Sequence, residues 1–308
     1  MSFAADVKKE LAKADISVKS RRIAECYGLL LYSRCFTTDA IKLKTEAMSV
    51  AERFSQHMSD MFGAIVEKKS TLKANKDDIN LHSIKVLLSS DANKIFTYFG
   101  HTPDTPTLRV NRANIEDDMC TAAFLRGVFL SCGSVNDPQK NYHLEFCVPF
   151  KNLSLDLCNI LCEISECSLS PRTMVRNGSY IVYFKDSEQI TDLLTYLGAP
   201  NAAMDIMNAK AYKQMRNVTN RRINSELANI SKTAKAGAKI LNAIDAIDAT
   251  EGLGSLPDNL RVVAELKREN PELSLAALGE LLNPPISRSG VNHRLNKIME
   301  IAEDIKKE

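Results

Sequence analysis

Seven hydrogen-bonding side chains are concentrated near the end of the sequence. They are Ser287, Arg288, Ser289, Asn292, His293, Arg294 and Lys297. No Asp or Glu occurs between Glu280 and Glu300, so no carboxylate would repel phosphate along this stretch. Arg pairs with guanine and Asn with adenine through two hydrogen bonds each in the major groove. The chemistry open to this set is therefore the recognition of base edges in double-stranded DNA.

A second group of cations and amides lies upstream, on a stretch without proline. Between Lys210 and Lys239 there are eight Lys or Arg residues and one acid, Glu226. At 100° per residue, one helical face carries Lys213, Asn217, Asn220, Arg221 and Asn224, and another carries Tyr212, Met215, Ile223 and Ile230. The polar face suits phosphate and sugar oxygens. It equally suits a solvated linker or a polar network that docks one domain on another, so these interpretations stay open.

Three short helices after Pro257 must position the first set. The first covers 258–270, with Leu260, Val262, Val263 and Leu266 as candidate buried residues, and the second covers 274–282, with Leu275, Leu278 and Leu282. Ser274 is a suitable N-cap. Asn283-Pro284-Pro285 ends the second helix, because proline removes a backbone donor and restricts the preceding residue.

The third helix is expected to begin at Ser287 or Ser289 and to bury Val291, Leu295 and Ile298. Arg288, Ser289, Asn292, His293 and Lys297 then lie around its exposed side and N-terminal turns. This arrangement is typical of a helix-turn-helix, in which the start of the second motif helix meets base edges. A small helical domain that binds another protein is the alternative.

An internal repeat organises the first two thirds of the sequence. Thr-Tyr-apolar-Gly closes a helical segment at Gly100 and again at Gly198, and apolar helices carry Gly28 and Gly127 at nearly the same offset. Because glycine costs about 1 kcal/mol relative to alanine inside a helix, something should offset it. Close contact of the two helices at a pseudo-twofold axis would do so.

Each half reads as αββαββ with a closing helix, which gives an α+β fold. The second half includes a hairpin at Asn177-Gly178 and the first a turn at Asn75-Lys76. Basic residues lie on or beside the strands: Lys42, Lys44, Lys68, Lys69, Lys73 and Lys76, and in the second half Arg172 and Arg176. They fit either a DNA-facing sheet or any solvated sheet face.

Two such helices, each opening one half, resemble the LAGLIDADG homing endonucleases. More narrowly, the sequence resembles the WhiA family of bacterial regulators, on four stretches at residues 1–12, 124–138, 215–233 and 278–298. The resemblance implies a duplicated αββαββα LAGLIDADG-like domain with pseudo-twofold symmetry, followed by a small all-α helix-turn-helix domain. It also implies transcriptional control, with a role in cell division, chromosome segregation or sporulation.

In cutting LAGLIDADG enzymes, each helix delivers one carboxylate, and the two hold divalent metal ions against the scissile phosphates. Aligning the central glycines places Ser33 and Cys132 at these positions. A hydroxyl and a thiol do not replace two negative charges, and the nearest acids, Asp39 and Asp137, lie several residues further on. We therefore expect no nuclease activity, no metal and no cofactor.

Composition argues against a disulfide-bonded, metal-binding or membrane protein. Eight cysteines without a CxxC spacing, and five histidines away from them, predict reduced thiols that pack as small hydrophobes. No apolar run reaches the roughly 20 residues that span a membrane. We expect a cytoplasmic, nucleoid-associated protein, with possible partners among transcription or division proteins.

The expected organisation has three parts. Residues 1–207 form the scaffold, in halves of about 1–100 and 101–207, residues 208–252 a basic helical connector, and residues 253–308 the DNA-binding domain. The leading hypothesis is a DNA-binding regulator. A residual metal-dependent endonuclease and a scaffold protein whose helical tail binds another protein are the alternatives.

Overall fold

The computed structural model describes residues 2–72, 80–104 and 107–305. Its helices are α1 (Phe3–Leu11), α2 (Lys19–Leu31), α3 (Met48–Phe62), α4 (Ser89–Tyr98), α5 (Asp118–Cys132), α6 (Lys151–Glu163), α7 (Ser187–Leu197), α8 (Pro200–Thr250), α9 (Asp258–Glu269), α10 (Leu275–Glu280) and α11 (Arg288–Ile305). Its strands are β1 (Cys35–Phe36), β2 (Ile41–Thr45), β3 (Val66–Leu72), β4 (Asn80–Val86), β5 (Gly133–Val135), β6 (Leu144–Val148), β7 (Arg172–Arg176) and β8 (Ser179–Phe184).

The two halves repeat one topology, as the sequence repeat predicts. Each half has a four-stranded antiparallel sheet, with the order β1-β2-β4-β3 in the first and β5-β6-β8-β7 in the second. Burial alternates along β2, where Ile41, Leu43 and Thr45 face the core and the two intervening lysines face solvent. The duplicated α+β fold is thus confirmed, while Lys73, Lys76 and the Asn75-Lys76 turn lie outside the described residues.

The hairpin between β7 and β8 turns where the sequence predicts it. Asn177 has φ 50° and Gly178 has φ 74°. Two consecutive positive φ angles characterise the type I′ turn, whose twist matches that of the flanking strands. The turn fixes the register, with Arg176 opposite Ser179 and Val175 opposite Tyr180.

Helices α2 and α5 cross in the centre of this fold, through their glycines. A Cβ at Gly28 would lie 2.1 Å from the Phe124 carbonyl oxygen, and one at Gly127 would lie 2.1 Å from the Glu25 carbonyl oxygen. Any side chain at either position would strike the partner backbone. The predicted glycine-mediated contact is confirmed, and it explains why both apolar helices carry this poor helix former.

The chain divides into two compact units, with the boundary between Gln214 and Met215. The second unit has its own core, in which α8 contributes Ile240, Ala243, Ile244 and Ile247. Helices α9, α10 and α11 supply most of the rest of this core, including Leu260, Val263, Leu278, Val291, Leu295 and Ile298. Val262 is a correction: it was a candidate for the core, but it is 41% exposed because it lies on the outer side of α9.

Candidate functional site

The turn between α10 and α11 is held by local hydrogen bonds at both helix starts. The Ser274 hydroxyl accepts from the Ala277 amide at 3.2 Å, as expected of an N-cap. The Ser287 hydroxyl accepts from the Gly290 amide at 3.2 Å and so caps α11. Between them, the Ile286 amide donates to the Gly279 carbonyl at 3.0 Å. The start of α11 is therefore fixed relative to α10.

Gly279 makes this turn sterically possible. A Cβ on it would lie 2.3 Å from the Ile286 carbonyl oxygen and 3.3 Å from the Val291 side chain. The chain passes over α10 at a distance that only a residue without a side chain permits. Gly279 thus lets α10 and the start of α11 pack closely, as the two helices of a helix-turn-helix do.

Helix α11 presents most of the candidate base-reading residues to solvent. Val291, Leu295 and Ile298 are fully buried, which orients the helix. The side chains left exposed on its first turns are Arg288, Ser289, Asn292, His293 and, one turn further, Lys297. The structure therefore brings five of the seven residues together on one accessible surface, which we call the α11 surface.

The other two candidates, and Ser289 among the five, have intramolecular partners. Ser287 caps the helix and lies 2.8 Å from the Ser289 hydroxyl. Arg294 is half-buried, and its Nη1 donates to the Asn259 carbonyl at 3.3 Å, which directs it toward α9. Both sit beside the α11 surface, and their present contacts support its geometry.

Sequence reasoning missed a lysine that supports this motif. Lys267 is 4% exposed, and its Nζ donates to the carbonyls of Pro271 at 2.7 Å and Leu273 at 3.2 Å. Burial lowers its pKa, while Glu272 acts in the opposite direction. The ammonium thus ties the loop that precedes α10 to the end of α9. Its position in the last turn of α9 was the available signal, because cations there can bind free carbonyls.

The polar face of α8 is exposed along most of its length. Asn217, Asn220, Arg221 and Asn224 all lie on the surface, and Lys232, Lys235 and Lys239 continue the row. Lys213 differs from the others. Its Nζ donates to the Pro138 carbonyl at 2.7 Å and lies 4.7 Å from the centre of the Tyr142 ring.

The solvent faces of the two sheets differ in charge. In the first sheet Lys42 lies directly opposite Lys85 on the neighbouring strand. Lys44 and Lys69 lie on either side of Ser83 in the register, so they are on the same face of the sheet. In the second sheet Glu145 accepts from Arg176 at 2.6 Å. Its carboxylate also lies 3.0 Å from His143. On this face of the first sheet Glu67 lies 3.1 Å from Lys69 and opposite Lys85, so one carboxylate faces four lysines. On the second sheet Arg176 has its own acidic partner.

The ends of the crossing helices lack the groups that a metal-dependent nuclease uses. Ser33 is 2% exposed, and its hydroxyl donates to the Leu30 carbonyl at 2.7 Å. Burial raises the pKa of the Cys132 thiol to about 12, so it stays protonated at neutral pH. Asp39 is exposed, and Asp137 accepts from the Gln139 amide in its own loop. The residues present therefore do not fit a pair of hard divalent cations.

A basic side chain lies where Cys132 ends α5. Lys8 of α1 interacts electrostatically with Cys132 and Glu46, and burial lowers the pKa of its ammonium group. Helix α1 is N-capped by Ser2 and buries Val7 and Leu11. Neither the helix nor the role of Lys8 was part of the sequence expectation.

The crossing also contains a buried charge cluster that sequence reasoning missed. Glu25 of α2 is fully buried. Its carboxylate forms ion pairs with Arg53 Nε at 2.6 Å and with Arg126 Nε at 2.6 Å, and it lies 3.0 Å from His57 Nε2. Burial by itself raises the pKa of Glu25, but the hydrogen bonds from His57 and Arg53 and the charge of Arg126 bring it to about 2. Because Arg126 belongs to α5 and Arg53 to α3, the cluster joins the two halves.

Together these features define a class of protein: a duplicated LAGLIDADG-like scaffold without paired carboxylates, followed by a helix-turn-helix unit. Sequence profiles agree with both parts. The WhiA LAGLIDADG-like domain matches residues 121–216, and the WhiA C-terminal HTH domain matches residues 219–302. The chain belongs to the WhiA family.

Full-length relatives support this assignment. The "Probable cell division protein WhiA" of Clostridium botulinum is 36% identical over 319 residues, which covers 99% of each chain. That of Alkaliphilus metalliredigens is 35% identical over 317 residues, covering 98% of each. The crystal structure of full-length DUF199/WhiA from Thermatoga maritima superimposes with a TM-score of 0.61 at 23% identity, over 99% of each chain.

In the described part of our chain, no helix is long and apolar enough to cross a membrane.

Proposed function

We propose that this protein is a sequence-specific DNA-binding transcription regulator that acts in cell division. The observation that carries the proposal is the α11 surface: exposed Arg288, Asn292 and Lys297, in a stretch without acids between Glu280 and Glu300, on a helix fixed by a capped turn. Arg288 and Asn292 would contact base edges, and Lys297 a phosphate. The relatives' name, cell division protein, supports the biological setting. Roles in chromosome segregation or sporulation rest on the family resemblance alone.

The polar face of α8 would provide a second, sequence-independent contact. Its exposed amides and cations, with Arg221 and Asn224 at the centre, match the side chains that bind the DNA backbone. The lysine face of the first sheet is a separate candidate for contact with phosphate, and a solvated sheet face is the alternative. On this proposal the scaffold binds without cutting, because Ser33 and Cys132 replace the carboxylates.

Replacing Arg288 and Asn292 together by alanine is expected to abolish sequence preference. Each bidentate base contact is worth about 1–3 kcal/mol, so we expect affinity for the preferred sequence to fall roughly 10- to 100-fold per contact, with nonspecific binding retained. Genome-wide occupancy identifies the preferred sequence, and mobility shifts with the intact protein give the affinities. Arg261→Ala is the matched control, since Arg261 pairs with Asp258 at 2.8 Å on α9.

Three outcomes would contradict the proposal. If the double variant keeps its sequence preference, α11 does not read bases. If the intact wild-type protein fails to bind DNA at low salt, the helical tail binds another protein instead. If supercoiled plasmid is cleaved in the presence of Mg²⁺, the scaffold has retained nuclease activity despite Ser33 and Cys132.

A further inference from the structure

A cavity of about 600 Å³ opens in the first unit, where the two halves of the scaffold meet. Phe36 of β1, Phe96 of α4 and Leu108 of the segment between the halves line it, and Phe150 completes its apolar lining. The rings of Phe36 and Phe96 are buried with their centres 5.1 Å apart, so one wall is a packed aromatic surface. A volume of this size is typical of small-molecule sites, which measure roughly 300–1,000 Å³.

The charges around the cavity are positive. Arg34, which precedes β1, and Lys151, which opens α6, both line the cavity and are exposed. None of the described residues that line it is acidic. The start of α6 adds partial positive charge, because the first amides of a helix have no partner within it and Phe150 before them has no side-chain acceptor. A molecule that complements this cavity therefore carries negative charge.

One side of the cavity is held by a contact across the two halves. The Asn152 side-chain amide donates to the Thr107 hydroxyl at 3.2 Å, which ties the segment between the halves to the first turn of α6. Both residues line the cavity. The wall that carries Lys151 is thus formed by the chain itself before any ligand arrives.

The internal repeat offers a direct comparison for this place. In the other half, β5 and the start of α3 correspond to β1 and the start of α6, and there α1 packs against α3, α5 and β5. Helix α1 brings a cation, Lys8, whose charge acts on Glu46 just before α3. Between β1 and α6 the corresponding place is the cavity, and here the wall itself supplies the cations. The occupant that balances them has the opposite sign from Lys8.

We propose that this cavity binds a small molecule that carries a phosphate group on an apolar or aromatic body. Arg34, Lys151 and the first amides of α6 would bind the phosphate, and the body would pack against the phenylalanine rings. Two cations and a helix start match the charge of about −2 on a phosphate monoester better than the single charge of a carboxylate. The α11 surface belongs to the second unit, so the proposal stands whether or not that surface binds DNA.

Ligand-observed NMR with the intact protein and phenyl phosphate as the probe tests the proposal. We expect saturable binding, with inorganic phosphate and phenol each binding about tenfold more weakly or less, because one lacks the ring and the other the charge. Absence of saturable binding through the millimolar range would overturn the proposal. Equal affinity for inorganic phosphate would also overturn it, since exposed cations alone would then account for the binding.

Substitutions at the cavity locate the binding. Arg34→Ala and Lys151→Ala should each weaken phenyl phosphate binding about 5- to 10-fold, because each removes a charge-assisted contact. Lys140→Ala is the matched control, since Lys140 is an exposed cation of the same unit that lies outside the cavity. Thr38→Trp fills the cavity while both cations remain, and it should abolish binding. Circular dichroism checks that each variant keeps the fold.

Three results with these variants would contradict the site. Equal losses for Lys140→Ala and Arg34→Ala would mean that the probe responds only to net charge. Unchanged binding by Thr38→Trp would place the probe outside the cavity. If Arg34→Ala and Lys151→Ala weaken DNA binding and leave phenyl phosphate binding unchanged, the two cations contact the DNA backbone instead.

Discussion

Gly127→Ala is expected to destabilise the first unit by about 3 kcal/mol. The new Cβ would lie 2.1 Å from the Glu25 carbonyl oxygen and 2.8 Å from the Leu29 amide nitrogen. Both atoms are backbone, so no rotamer change relieves the overlap, and the helices must separate. Overpacking of this kind costs roughly 1–3 kcal/mol, and a backbone clash belongs at the upper end. It outweighs the gain of about 1 kcal/mol that alanine brings inside a helix.

Gly28→Ala should cost a similar amount, because the contact is reciprocal: its Cβ would lie 2.1 Å from the Phe124 carbonyl oxygen. Gly237→Ala is the matched control. Gly237 is also helical, but nothing lies within 4 Å of its Cβ position, so alanine there should stabilise the helix by about 1 kcal/mol. Urea unfolding followed by circular dichroism measures all three changes. Values for Gly127→Ala within about 0.5 kcal/mol of wild type would refute the close crossing.

The crossing was predictable because its signals are local. A glycine in each of two apolar segments, at one shared offset, indicated both the duplication and the contact. The residues at which the helices begin were harder to predict from the sequence. Helix α8 was expected from residue 208, yet it begins at Pro200, and proline at a first helical position was a usable sign. Helix α3 begins at Met48, and Ala47 before it provides no side-chain cap that a sequence pattern could reveal.

The Glu25 cluster could not be derived from local patterns. Its members come from three helices, and Glu25 and Arg126 are 101 residues apart in the chain. Sequence gave one indication, a single charge inside each apolar helix, since charged residues are rarely buried unless paired. Which charge would meet which depended on the crossing angle of α2 and α5 and on the position of α3. Tertiary packing, not periodicity, determined these pairs.

Glu25→Gln is expected to destabilise the first unit by about 3–5 kcal/mol at neutral pH. Removing one charge from a buried cluster leaves the remaining charges uncompensated, and the penalty is of that size. Here the guanidinium groups of Arg53 and Arg126 would lose the carboxylate with which both form ion pairs. Arg126 would keep its hydrogen bond to the Leu197 carbonyl, and Arg53 its bond to the Ala14 carbonyl. Those neutral acceptors do not cancel two charges.

Glu163→Gln provides the matched control for this substitution. Glu163 pairs with Arg112 at 2.9 Å, and both side chains are at least half exposed. Exposed pairs contribute roughly 0–1 kcal/mol because water screens them. Urea unfolding should therefore separate the two variants clearly. Equal losses would mean that the buried cluster contributes no more than a surface pair.

Acid unfolding gives the same test a second, independent readout. The pKa of Glu25 is about 2 in the folded protein and near 4.5 when unperturbed. Its charged form therefore stabilises the fold fully above pH 4.5, by about 3 kcal/mol, and this contribution is lost as pH falls toward 2. Wild type should lose stability over this window more steeply than Glu25→Gln, whose amide does not titrate. Parallel acid transitions for the two proteins would show that Glu25 is not held ionised by Arg53, His57 and Arg126.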